Sequence, residues 1–286
     1  VRYVAYEEGD EQLIGVLVGA SEVAPLGSLD GFYGDLRASV SRAEALAIRV
    51  GAEEASLGRL ALETLRQVPP VPASARVLCL GLNYRAHSEE ASQDLPSSPT
   101  LFLRAKSTLC CDGDEVRIPR ADAKLDWEGE LAAVVGTTLE DATEEEAARA
   151  VFAYTCFDDL SARELQFSSS QWTLGKNADG TGPMGPVLVG VEEIPDPYSL
   201  HIETRVNGAV MQSASTGEMI FRIAPVLSYV SKVMRLMPGD VLVTGTPEGV
   251  GYIRNPPVYL KPGDLVEVEI ERIGILANRI VGPAST

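Results

Sequence analysis

The spacing of apolar positions changes character along the chain. "YVAYEEG" and "LIGVLVG" alternate apolar and polar residues around the turn-like "GDEQ", the period-two signature of paired strands with one face in a core. Residues 1 to about 35 therefore read as short strands. From Arg42 to about Val68, Leu, Ala and Ile recur at three- and four-residue steps, the period of an amphipathic helix. "VPPVPASA" then intervenes, and proline there disfavours helix and stiffens the chain. A boundary near residue 70 separates a small N-terminal α+β domain, residues 1–70, from a larger region, residues 71–286.

The larger region is rich in strand patterns. "ARVLCLGLNY", "TLFLRAK" and "GELAAVVG" read as buried strands, the first ending in a Gly turn. "DATEEEAARAVFAYT" opens with a capping box, Thr143 and Glu146, and reads as a helix running into a strand. Asn207-Gly208, between the alternating flanks of "LHIETRVNGAVMQ", is a hairpin signal. "GPMGPVLVGVEEI" and "DLVEVEIERIGILANRIV" read as strands, "GEMIFRIAPVLSYVSKVM" as a helix, and "MPGDVLVTGTP" as a turn and a buried strand. The pattern predicts a β-rich α+β fold without internal repeats.

Composition narrows the partners. With 286 residues the chain can form a main domain and a small one. The net charge of −17 comes without a Lys/Arg cluster, which argues against nucleic acid and anionic membranes as partners. No apolar run approaches the roughly 18 residues of a membrane span. The first residues, "VRYVAYEEGDEQ", lack the basic and apolar regions of a signal peptide. Cys79, Cys110, Cys111 and Cys156 form no C-x-x-C pair and read as idle thiols in a reducing compartment, so a cytoplasmic location is expected.

Chemistry-bearing residues are few. Of the two histidines, His201 alternates with apolar positions and reads as a packing or surface residue. His87 follows a strand and a Gly turn, and Glu90 lies three residues on, where a helical turn would let it orient the imidazole. A solvated helix start with a charge pair fits the same letters. The stretch around it, Ala86 to Ser98, is small and polar and reads as a mobile lid. In "LDWEGELAAVVG", Glu128 and Glu130 share one face of a strand, so they need a cation, a shared proton or open water to coexist. Asp158 and Asp159 end the strand in "FAYTCFDDLSARELQ". Three such carboxylates would suit Mg²⁺ or Mn²⁺; an exposed acidic strand face is the alternative. Lys176 sits in the Gly-rich "QWTLGKNADGTGPMGP". "VTGTPEGVG" offers backbone N–H groups and hydroxyls to an anion but is not a P-loop, and a tight turn would read the same way.

Taken in order, "GLNYRAHSEE", "PTLFLRAKSTL", "LDWEGELAAVVG", "FDDLSARELQ", "QWTLGKNADGTGPMGP", "VNGAVMQSASTGEMIF", "MPGDVLVTGTPEGVG" and "LKPGDLVEVEIERIGILAN" resemble the fumarylacetoacetate hydrolase family, from about Val77 to Val281. The resemblance is to its acylpyruvase and 2-hydroxyhepta-2,4-diene-1,7-dioate isomerase-like branch. It implies a mixed β-roll catalytic domain, usually in homodimers, with Glu128, Glu130 and Asp159 as ligands of Mg²⁺ or Mn²⁺. It implies His87 as the catalytic histidine, Glu90 as its partner and Lys176 as the family lysine. Gln166 matches the substrate-contacting glutamine, and Asp179 and Thr246 match positions lining the pocket. One departure stands out: many relatives carry Ser-Phe-Asp after the lysine, and this chain has Asn177-Ala178-Asp179.

The resemblance implies activity on small 2-oxo or 1,3-diketo acids. The expected reaction is hydrolysis of a C–C bond in an acylpyruvate or fumarylpyruvate through a metal-stabilised enolate, with His87 drawing a proton from water. Isomerisation of a hydroxymuconate-type dienoate and decarboxylation of oxaloacetate need the same enolate. A non-catalytic metal-binding scaffold is the reading from another class.

Overall fold

The computed structural model describes residues 1–51, 58–86, 97–120 and 122–284. A twelve-stranded, mostly antiparallel sheet runs through the molecule. At its centre lies Gly129–Val135, antiparallel to Val151–Asp158 on one side and to Val241–Val243 on the other. Val241–Val243 runs parallel to Val77–Gly81, and Thr100–Arg104 closes that end of the strand order. In the other direction Gly182–Gly190 leads to Arg2–Glu8, Glu11–Val18 and Glu22–Ser28, so the N-terminal strands continue the same sheet. A five-stranded sheet, built around His201–Val206 and Leu265–Ile270, packs against it. The architecture is a mixed, sheet-rich α+β fold with few helices.

Gly129–Val135 is apolar throughout after Glu130 because both its faces are covered. Leu131, Ala133 and Val135 enter one core, shared with Ile202, Val268 and the helix Ile223–Ser231. Ala132 and Val134 enter a second core, shared with Phe32, Tyr33 and Leu36 of the N-terminal helices. Gly129 itself lies under the five-stranded sheet, where a Cβ would overlap the Thr204 hydroxyl and press on Val268. The middle residue of the E-x-E motif is glycine because the second sheet leaves no room for anything larger.

Local signals in the sequence correspond to local structure. Thr143 caps Glu144–Ala150 by accepting from the Glu146 N–H at 3.2 Å, and Glu146 accepts from the Thr143 N–H at 2.8 Å. Asn207 and Gly208 take φ values of 51° and 79°, as a two-residue hairpin of that type requires, and join His201–Val206 to Ala209–Ser215. Two expectations need correction. Residues 1 to 35 are not all strand, since Leu29–Gly34 is a helix capped by Ser28. The helical pattern from Arg42 to Val68 is helix only in part: the observed helix is Leu36–Gly51, while Leu60–Ala61 and Arg66–Gln67 pair with Glu22–Ser28 and Arg2–Glu8. Strand edges elsewhere in the sheet recruit those residues, and propensity yields to pairing. Among the described residues no helix is long and apolar enough to cross a membrane.

Candidate active site

Two short antiparallel ladders place the acidic residues. Gly129 pairs with Asp158, and Leu125–Asp126 pairs with Ser161–Ala162. Between them the strands part, and two hydrogen bonds cross the gap: the Asp159 N–H donates to the Glu128 carbonyl at 2.9 Å, and the Glu128 N–H donates to Asp158 Oδ1 at 2.9 Å. Glu128, Glu130 and Asp159 point into this opening. One carboxylate oxygen from each lies within 4.8 Å of the other two, and all three residues are buried.

Three cations answer them. Lys176 Nζ donates to Glu128 Oε2 at 2.6 Å and to Asp159 Oδ2 at 2.5 Å. Arg163 Nη1 lies 2.6 Å from Glu128 Oε1. Arg104 Nε donates to Asp159 Oδ1, and its Nη2 donates to the Leu160 carbonyl at 2.6 Å. Burial alone would lower the Lys176 pKa, but Asp159 and Glu128 outweigh it, and the ammonium is held above its ordinary value. Glu130 is treated differently. One of its oxygens accepts the Gly245 N–H, while Oε1 is buried with no partner among the described residues. Burial, and then the charges of Asp159 and Glu128, push its carboxyl well above the usual range. Asp158, accepting from the Glu128 N–H at 2.9 Å, is pushed up to about 7, chiefly by burial.

This donor set fits a hard divalent cation. It consists of carboxylate oxygens only, it converges, and it leaves one buried oxygen, Glu130 Oε1, without a counter-charge. Glu128, Glu130 and Asp159 are the residues that could hold such an ion.

Above them opens a cavity of about 270 Å³, with Glu128, Lys176, Arg163, Gln166 and Thr246 among its lining. Gln166 Oε1 accepts from Arg163 Nη1 at 2.8 Å. Thr246 Oγ1 donates to the Gly129 carbonyl at 3.0 Å and accepts from Gln212 Nε2 at 2.8 Å, while Gln212 Oε1 takes the Gly129 N–H. A side chain of the second sheet thereby fixes the backbone between the two glutamates. Asp179 sits apart from this group, exposed in the turn after Lys176 and off the described cavity wall. His87 and Glu90, and the lid expected at Ala86 to Ser98 apart from its ends, lie outside the described residues. His201 is exposed on its strand, 3.5 Å from Ser213 Oγ.

The departure at Asn177 has a structural role. Its Oδ1 accepts from the Ala105 N–H at 2.6 Å and its Nδ2 donates to the Leu103 carbonyl at 3.1 Å, which ties the end of Thr173–Lys176 to the sheet. Gly175 completes the fit, since a Cβ there would overlap the Gln166 backbone. Residues 76–281 match the model of the fumarylacetoacetate hydrolase C-terminal domain. The chain belongs to the fumarylacetoacetate hydrolase family.

Relatives within the family carry several activities in their names. A mitochondrial oxaloacetate tautomerase of Xenopus laevis is 39% identical over 224 residues, which cover 78% of this chain and 70% of that protein. The structure of a fumarylacetoacetate hydrolase from Exiguobacterium antarcticum is similar at a TM-score of 0.79 and 34% identity, covering 98% of this chain and 99% of that one. A 2-hydroxyhepta-2,4-diene-1,7-dioate isomerase from Mycobacterium marinum is similar at 0.77 and 28% identity, covering 99% of each chain.

Two site residues were not singled out from the sequence. Arg163 stands in "LSAREL", three residues before Gln166, and that spacing on a helical turn was an available signal. Arg104 ends "TLFLR", where an arginine closing a strand reads as solvated. Only the fold buries it against Asp159.

Proposed function

We propose that this protein is a divalent-metal-dependent enzyme that moves a proton next to the 2-oxo group of a small 2-oxo acid, as a tautomerase or isomerase. The observation carrying this reading is the buried triad Glu128, Glu130 and Asp159 at the floor of a cavity that also presents Lys176 and Arg163. Mg²⁺ or Mn²⁺ bound there would supply Lewis-acid stabilisation of an enolate. The names of the relatives, oxaloacetate tautomerase and dienoate isomerase, support proton transfer as the chemistry.

The chain's own residues have distinct tasks in this reading. Arg163 Nη2 is buried and has no partner among the described residues, so it is available to a substrate carboxylate. Gln166 holds Arg163 in place and offers its amide to the same group. Lys176, kept protonated by Asp159 and Glu128, stabilises negative charge developing on the substrate. Thr246 and Gln212 keep the Glu128–Glu130 backbone rigid. The proton itself is assigned to His87, oriented by Glu90, on the family match alone.

A second reading is hydrolysis of a C–C bond in acylpyruvates: water adds to the distal carbonyl, the C–C bond breaks to give the acyl group as a carboxylate, and pyruvate leaves as its enolate and is then protonated. The His87-x-x-Glu90 spacing in the sequence favours it, because an oriented imidazole can draw a proton from water. One experiment separates the two. Enolic oxaloacetate and acetylpyruvate are supplied with Mg²⁺ or Mn²⁺, the enol absorbance is followed, and products are identified. Ketonisation without acid products supports the first reading, and pyruvate with acetate supports the second. Activity that survives chelation overturns both.

A further inference from the structure

Two pairs of aromatic rings form the apolar wall of the same cavity. Phe102 and Trp172 meet edge to face, with centroids 5.5 Å apart at 73°, and Phe167 and Tyr252 meet at 5.2 Å and 57°. All four line the cavity, with Leu80 beside them. They arrive from separate places: the sheet edge, the entry to Thr173–Lys176, the end of Arg163–Gln166 and the turn Gly251–Ile253. Aromatic residues are only 6% of the chain, so composition does not account for this gathering. Gly81 accommodates it, since the Trp172 ring occupies the space a Cβ would need there.

Each pair begins where the polar floor ends. The Phe102 ring lies over Lys176 Nζ at 5.2 Å, and the Tyr252 ring lies over the Arg163 guanidinium at 4.4 Å. Phe167 is 57% exposed, so the wall extends outward to solvent. Among the described lining residues, Lys176 and Arg163 are the cations, and both are already engaged by carboxylates at the floor. Arg163 lines the cavity beside Lys176, so the oxo-acid end of a substrate belongs at the floor; a second carboxylate, at the far end, would meet rings.

We propose that this cavity selects 2-oxo acids with a flat apolar group, an aryl ring above all, at the end remote from the carboxylate, in preference to dicarboxylates such as oxaloacetate. This rests on reading the site as a 2-oxo acid enzyme. Rings offset from or edge-on to an aryl group cover apolar area and add a directional attraction, while a carboxylate among them loses hydration without a partner. The net charge of −17 acts in the same sense, since it opposes a dianion more than a monoanion.

The test is affinity in a series built on one inert scaffold, measured calorimetrically with the full chain and Mg²⁺. Oxamate, oxanilate and N-oxalylglycine share the oxo-acid end and carry hydrogen, phenyl and carboxymethyl at the other. Oxanilate is expected to bind at least about tenfold tighter than N-oxalylglycine. A smaller ratio, or no binding of either, overturns the proposal. Phe167→Ala removes an exposed ring and should lower the ratio at least threefold with the fold intact by circular dichroism; Trp172→Leu should do the same. An unchanged ratio in both variants also overturns it. Turnover is read separately: if no 2-oxo acid is converted, the functional reading fails while the affinity ratio still decides the proposal.

Discussion

Asp126 Oδ2 accepts from Arg163 Nε at 2.8 Å, in a pair whose side chains are 0% and 3% exposed. Asp126 also takes the N–H groups of Trp127, Gly251 and Tyr252, at 2.9, 2.7 and 3.0 Å. It therefore fixes the direction of the guanidinium and the turn that carries the Tyr252 ring above it. Asp126→Asn keeps the volume and one acceptor oxygen, for the Trp127 and Gly251 N–H groups, and turns an NH₂ toward Arg163 Nε, so the charge and the hydrogen bond that aim the guanidinium are both lost. The expected outcome is a rise of about tenfold in KM for a 2-oxo acid with a smaller change in kcat. Arg163→Ala strands Asp126 as a buried unpaired carboxylate and should cost about 3–5 kcal/mol, read by denaturant titration.

Glu130 is the candidate ligand that best tests the proposed metal site. Its Oε1 has no partner among the described residues, so Glu130→Gln removes charge from the triad while the Gly245 N–H keeps its acceptor. Mn²⁺ affinity followed by electron paramagnetic resonance should fall tenfold or more, with little change in thermal stability of the metal-free chain. Unaltered Mn²⁺ binding would remove Glu130 from the site.

Gly175→Ala inverts the usual helix rule. In an open helix this change stabilises, because alanine loses less backbone freedom than glycine. Here the added Cβ would overlap the Gln166 backbone, and Lys176 is the next residue. Overpacking of about 1–3 kcal/mol should outweigh the gain, lowering the melting temperature and displacing Lys176, so that kcat falls as well.

The thiols should be inert in the native state. All four cysteines are buried and free. Burial pushes the Cys110 thiol up to about 12 and raises Cys79, Cys111 and Cys156 as well. A raised thiol pKa leaves little thiolate at any pH below it, so moving from pH 7 to pH 9 should not start a reaction. With a chromogenic disulfide reagent the folded protein should remain silent across that range, and the unfolded chain should titrate four thiols.

What the sequence determined by itself was whatever depends on neighbours within a few residues. The capping box at Thr143 and Glu146 and the Asn207-Gly208 hairpin were legible because a helix turn and a two-residue loop are local geometries. Glu128 and Glu130 do converge, but Glu128 lies just outside Gly129–Val135, so the gap between the strands and not a strand pleat places it. The ordered motifs likewise carried the family. The fate of residues 60–67 was not legible, since helical spacing there competes with sheet edges contributed by residues 2–8 and 22–28. Nor were Arg104 and Arg163, because a charged side chain declares its burial only when distant carboxylates, Asp159 and Asp126, are folded against it. The ring wall is of the same kind: Phe102, Phe167, Trp172 and Tyr252 lie far apart along the chain, and only tertiary packing makes one surface of them.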